Sequence, residues 1–129
     1  MKIVLDTNVF ISGIFWKGTP RKIVELWACR KIQTVITKSI FEEYIDVIKR
    51  FDEGRTITRR WKAFVVENSQ IIEEKMQIKI CRNPDDDKFL SCALLGEADY
   101  LVSGDDDLLS LKTIGTTKIV NPAQFLKLV

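Results

Sequence analysis

The sequence predicts an α/β domain: a single three-layer unit over residues 1–129, with a central, mostly parallel sheet of about four to five strands flanked by helices. Three observations lead there. Short apolar runs such as KIVLD, QTVIT and YLVS show almost no polar alternation, so both faces of each strand are covered, as in a parallel sheet. Between them lie longer stretches whose apolar residues recur at helical spacing. The length of 129 residues suits one core, and no repeat, low-complexity tract or Pro/Gly-rich linker marks a domain boundary.

The elements follow in order. Residues 2–6 are a buried strand that ends in an acid, and residues 8–16 form a short apolar helix. Thr19-Pro20 opens a helix to about residue 31, with proline in its first turn. Residues 33–37 form the second strand. Ser39 caps the next helix, with Glu42 as its capping-box partner, and Tyr44, Ile45 and Ile48 lie on its apolar side. Gly54 breaks the chain before a helix over 58–68, and residues 70–80 hold one or two strand-like runs. Asn83-Pro84 starts a helix that ends near Gly96. A strand at 100–103, a helical turn at 107–111, a strand at 117–120 and a closing helix at 123–128 complete the chain.

Apolar residues make up 46% and charged residues 29%, the balance of a globular domain and not of a disordered segment. Histidine is absent, which removes Ser-His-Asp and Cys-His catalysis and every zinc site that needs imidazole. Cys29, Cys81 and Cys92 are odd in number and widely spaced, so neither a zinc site nor a disulfide framework is expected. They read as small buried hydrophobes in a reducing compartment. With no signal-peptide pattern and no apolar run near ~20 residues, the expectation is a cytoplasmic protein with no membrane partner.

The net charge of +2 hides an asymmetry. Residues 81–110 hold eight acidic and two basic side chains, a net −6, while the rest of the chain carries +8. An acidic focus in a basic surround suits a site that holds cations and receives a polyanion. In parallel sheets ligands bind beyond the carboxyl ends of the strands. Acids from four stretches converge on that rim: Asp6 after the first strand, Glu42 and Glu43 early in a helix, Asp86 and Asp87 in a helix first turn, and Asp105 after the 100–103 strand. Asp106 and Asp107 read as helix caps. Two unit charges about 4 Å apart repel by roughly 4 kcal/mol at an effective dielectric of 20, so such a cluster calls for protons or a bound cation. All-oxygen ligands suit Mg²⁺ or Mn²⁺, one or two ions, and two such ions can hydrolyse a phosphodiester without histidine.

These residues resemble the PIN domain family. Residues 1–13 (MKIVLDTNVFISG) are similar to its opening strand, 37–47 (TKSIFEEYIDV) to its second motif, and 83–109 (NPDDDKFLSCALLGEADYLVSGDDDLL) to its third and fourth motifs. The similarity covers nearly the whole chain, in the family's order. It is nearest to the VapC-related subgroup of toxins from type II toxin–antitoxin pairs. The resemblance implies a Mg²⁺- or Mn²⁺-dependent ribonuclease that cuts single-stranded RNA to leave a 5′-phosphate and a 3′-hydroxyl. Asp6, Glu43, Asp105 and one of Asp86 or Asp87 would hold the metal and carry catalysis. The motif register leaves Asp86 and Asp87 both open. Asn8 and Ser103 would orient these groups from behind. The resemblance further implies a homodimer and a cognate antitoxin.

Lys49, Arg50, Arg55, Arg59, Arg60 and Lys62 gather around Gly54, and a nuclease with an acidic centre needs such flanking charge. Arg59, Arg60 and Lys62 are the candidates for RNA contact. Trp16 and Trp61 read as core residues, with base stacking as the alternative. Two other functions remain in view. One is a non-catalytic PIN-like module that binds RNA or protein. The other is a phosphatase of the haloacid dehalogenase kind, weakened because Asn8 stands where that chemistry wants a second acid.

Overall fold

A computed structural model describes residues 1–76, 79–80 and 83–129. Its strands are β1 (Lys2–Leu5), β2 (Gln33–Thr37), β3 (Ser69–Ile72), β4 (Tyr100–Val102), β5 (Thr113–Ile114) and β6 (Thr117–Val120). Its helices are α1 (Thr7–Phe15), α2 (Thr19–Ala28), α3 (Lys38–Phe51), α4 (Thr56–Asn68), α5 (Asp87–Leu95), α6 (Asp106–Leu109) and α7 (Pro122–Leu126), and a 3-10 turn (Pro84–Asp86) leads into α5. The six strands lie in the order β3-β2-β1-β4-β6-β5. All pairs are parallel except β5 with β6. Helices flank this sheet in a three-layer α/β arrangement, with α5 packed on β1, β2 and β4.

The unalternating runs KIVL, TVIT and YLV are buried because they fill the middle of the sheet. The sixth strand, β5, is two residues long and gives no sequence pattern. It exists because Gly115, at φ 57°, turns the chain back onto β6. Beside the sheet, Phe10 joins four helices: its ring lies 4.4 Å from Tyr44, 5.6 Å from Trp27 and 5.9 Å from Trp61. The Tyr44 hydroxyl donates to the Leu5 carbonyl, pinning α3 to the end of β1. The Trp27 indole donates to the Asn68 carbonyl at 2.9 Å.

Several local expectations change. The capping box of Ser39 and Glu42 does not form. Helix α3 begins at Lys38, so Thr37 at the end of β2 is its cap and accepts from the Ile40 N–H, while Ser39 donates to Glu74. Helix α2 stops at Ala28, and Arg30 turns the chain at φ 60°. Helix α4 starts before residue 58, where Asp52 accepts both the N–H and the hydroxyl of Thr58. Cys92 is buried, but Cys29 is exposed where α2 ends; Cys81 lies outside the described residues. Trp61 packs against Phe10 and Phe64, as a core residue should. Trp16 does not: it is 53% exposed, in a surface cluster with Phe15 and Phe51.

Gly13 sets how closely α1 and α2 approach. A Cβ there would lie 2.5 Å from a Val24 methyl and 2.8 Å from the Pro20 carbonyl oxygen. Alanine should gain up to about 1 kcal/mol of helix propensity, yet overpacking typically costs about 1–3 kcal/mol. Gly13→Ala is therefore expected to lower the urea midpoint. An unchanged or raised midpoint would show that the two helices separate without cost.

Candidate functional site

The rim of the sheet is built by register. Leu5 pairs with Val102, and the Asp6 N–H donates to the Val102 carbonyl at 3.0 Å, so Asp6 and Ser103 leave their strands at the same height. Ser103 is fully buried between two acids. Its hydroxyl donates to Asp6 Oδ2 at 2.6 Å and accepts the Asp105 N–H at 2.9 Å. Both acids also cap helices. Asp6 accepts the Asn8 N–H at 3.1 Å to start α1, and Asp105 accepts the Asp107 N–H at 2.9 Å to start α6. Asn8 thus reaches Asp6 through its main chain, and its exposed side chain lines a cleft of about 390 Å³ with Asp6, Ser12, Gly104 and Asp105.

The third acid comes from the Asn83-Pro84 turn. Asn83 accepts the Asp85 N–H at 3.1 Å and bends the chain into the 3-10 turn. This carries Asp86 inward to 7% exposure, where its Oδ2 has no hydrogen-bond partner. Asp87 diverges from it: its Oδ1 accepts the Ile80 N–H at 3.2 Å. Asp86, Asp105 and Asp107 each offer an oxygen, all within 4.8 Å of one another. Asp107, expected as a cap, is therefore brought into the cluster. The Asp-x-Asp spacing across a helix start is the signal that could have revealed it.

Glu43 stands apart from these three. It lies on α3, where Thr7 donates to Oε2 and the Lys88 ammonium meets Oε1 at 2.7 Å. Glu42 points out and approaches Lys38 at 3.9 Å. Lys88 carries no sequence signal, because nothing in its spacing reveals a contact 45 residues away. Arg59, Arg60 and Lys62 are exposed on α4, and among the described residues no ion pair joins them to any carboxylate.

Charge follows geometry. Burial raises the Asp6 carboxyl from its ordinary value; the Ser103 and Asn8 bonds oppose this, and the Asp105 and Glu43 charges add to it. Asp86 is pushed up to about 7 by burial first, then by the Asp105 carboxylate against it and the charges of Asp6 and Asp107. A buried carboxylate oxygen without a donor, among other acids, is costly unless a proton or cation satisfies it. The donor set is entirely oxygen and fits a hard divalent cation.

Comparison with known proteins bears on the family and the fold. A family model described as PIN domain matches residues 2–107. The uncharacterized protein MJ1680 of Methanocaldococcus jannaschii is 34% identical over 119 residues, which covers 87% of this chain and 76% of that protein. The crystal structure of VapBC2 from Rickettsia felis, bound to a DNA fragment from their promoter, contains a chain with the same fold. The TM-score is 0.63 at 16% identity, covering 94% of this chain and 98% of that one.

The raised Asp86 pKa fixes a pH dependence for the metal-free protein. A carboxyl near 3.9 when unfolded and about 7 when folded binds more protons in the folded state between those values. Its stabilisation is complete below about pH 4 and is lost as pH rises through 7. Asp86→Asn removes this loss, so in chelator at pH 8 the variant should unfold at higher urea than wild type, with the gap closing toward pH 5. Parallel curves for the two proteins would refute the assignment.

Proposed function

This chain belongs to the PIN domain family, and on that premise we propose that it is a metal-dependent endoribonuclease acting on single-stranded RNA. The observation that carries the reading is the buried, donorless Asp86 Oδ2 beside Asp105 and Asp107. Asp6, Asp86 and Asp105 are the proposed holders of Mg²⁺ or Mn²⁺, with Glu43 at the far side of Asp6 and Asp87 as the weaker candidate. When bound, the ion supplies Lewis-acid stabilisation of charge at a phosphodiester and of an ionising water. The chain supplies the rest. Ser103 holds Asp6 and Asp105 at a fixed separation by bonding both. The cleft beside them, with Asn8 and Gly104 on its wall, leaves room for a strand to approach. The exposed cations of α4 attract its backbone from outside the acidic zone.

The role proposed for this activity is that of a VapC-like toxin in the cytoplasm, dimeric and held in check by an antitoxin. The shared fold with a chain of the VapBC2 crystal structure supports it. No helix among the described residues is long and apolar enough to cross a membrane.

The test is cleavage of a long mixed-sequence RNA in Mn²⁺. Wild type should cut, and chelator should stop it. Asp6→Asn and Asp105→Asn should each lose on the order of 100-fold or more, beyond what outer partners of a metal site usually cost. Equal cleavage by all three proteins would exclude the site. Arg59→Glu with Arg60→Glu should weaken RNA binding and reduce its salt slope by about two, roughly one per phosphate contact; an unchanged slope would remove α4 from the interface.

A further inference from the structure

Glu43 is held differently from the other acids of the rim. Like Asp6, it has both oxygens engaged, but where the Thr7 hydroxyl meets one, a cation, the Lys88 ammonium, meets the other at 2.7 Å. The pair is largely enclosed, with 24% of the Lys88 side chain and 29% of the Glu43 side chain exposed. Lys88 thus supplies a cation directly to Glu43. Among the described residues, the cluster with oxygens within 4.8 Å of one another is Asp86, Asp105 and Asp107; it includes neither Asp6 nor Glu43, and of those two it is Glu43 that carries the Lys88 ion pair. The orphaned oxygen lies in that cluster, on Asp86. The rim is therefore divided: one end has a buried acceptor without a donor, and the other has an acid already supplied with a cation.

We propose that Lys88 takes the place of a second metal ion, so that the site binds one divalent cation at the Asp86–Asp105 end and keeps the Lys88 ammonium at Glu43. This rests on the metal-dependent reading above and says how that site is populated. A two-ion site places its cations roughly 4 Å apart across the reacting phosphate. An ammonium is a compact point charge with three N–H donors, and Glu43 takes one of them here. The other two can donate to a phosphate oxygen, which gives the Glu43 end a binding role without a second metal. Residue 88 can do this because it lies in the first turn of α5, directly after the turn that buries Asp86. One short segment thus delivers both the open acid and the built-in cation.

The experiment counts Mn²⁺ on the full-length, metal-stripped chain, by calorimetry with electron paramagnetic resonance of the unbound ion. Wild type should bind one Mn²⁺ per chain. Lys88→Met, which keeps the length and removes the charge, should bind two, the second more weakly. Lys88→Arg, which restores charge, should return the count to one. Glu43→Gln should keep one ion and lose less affinity than Asp105→Asn, for which a loss of at least about 10–100-fold is expected. Two ions on wild type, one ion on Lys88→Met, or equal losses for Glu43→Gln and Asp105→Asn would each overturn the proposal while leaving a metal site in place. No Mn²⁺ on wild type would overturn the metal-dependent reading as well. Should a Lys88 variant fail to fold, the wild-type count and the Glu43→Gln affinity decide the question.

Discussion

The acidic end of this molecule depends on the parallel pairing of β1 with β4. Register alone sets Asp6 beside Ser103 and lets one buried hydroxyl hold two acids that are 99 residues apart in sequence. Ser103 has the right chemistry for that position. A hydroxyl donates to one acid while it accepts the main-chain N–H of the other, and it adds no charge. A slip of one residue between these strands would turn Leu5 or Val102 to the rim and bury an acid in the core. The apolar strands thus do more than fill the interior: their alignment is what makes the rim a site.

Assembling this rim conflicts with stability. Burial and mutual repulsion raise both Asp6 and Asp86, and carry Asp86 up to about 7. At Asp6 this is opposed locally by the Ser103 hydroxyl and the start of α1, but Asp86 keeps an unpaired oxygen. The compensation comes from elsewhere. The Phe10 ring against Tyr44, Trp27 and Trp61 ties α1 to α2, α3 and α4, and aromatic pairs of this kind add about 0.5–1.5 kcal/mol each beyond burial. Tyr44 serves both purposes, since its ring packs in this cluster while its hydroxyl fixes the end of β1 one residue before Asp6.

Much of this was legible in the sequence, for identifiable reasons. Parallel strands bury both faces, so KIVL and YLV announce themselves as apolar runs, and an acid or hydroxyl right after such a run falls at the rim. Asp6, Ser103 and Asp105 are of this kind. Positions on turns were less legible, because one residue of phase swings a side chain by ~100°. Asp86 and Asp87 could not be separated until the 3-10 turn fixed that phase. The Ser39 capping box failed for a related reason: Thr37 closes β2 and caps α3 at once. Lys88 illustrates a deeper limit. Its neighbours are set by tertiary packing, and no short-range pattern encodes a contact between α5 and α3.

The order of the acids along the chain has a consequence for timing. Asp6, Glu43 and Asp86 all precede β4, while Ser103, Asp105 and Asp107 follow at or beyond its end. The main chain at Ser103 is itself held by the Val120 carbonyl of β6, at 3.0 Å. During synthesis the first three acids therefore leave the ribosome before Ser103, which joins Asp6 to the Asp105 main chain, and before β4 and β6, which complete the sheet at this rim. The Asp6–Ser103–Asp105 arrangement needs β4 and β6 in place, so a copy cut before β4 carries three of the acids without the bond that joins Asp6 to Asp105.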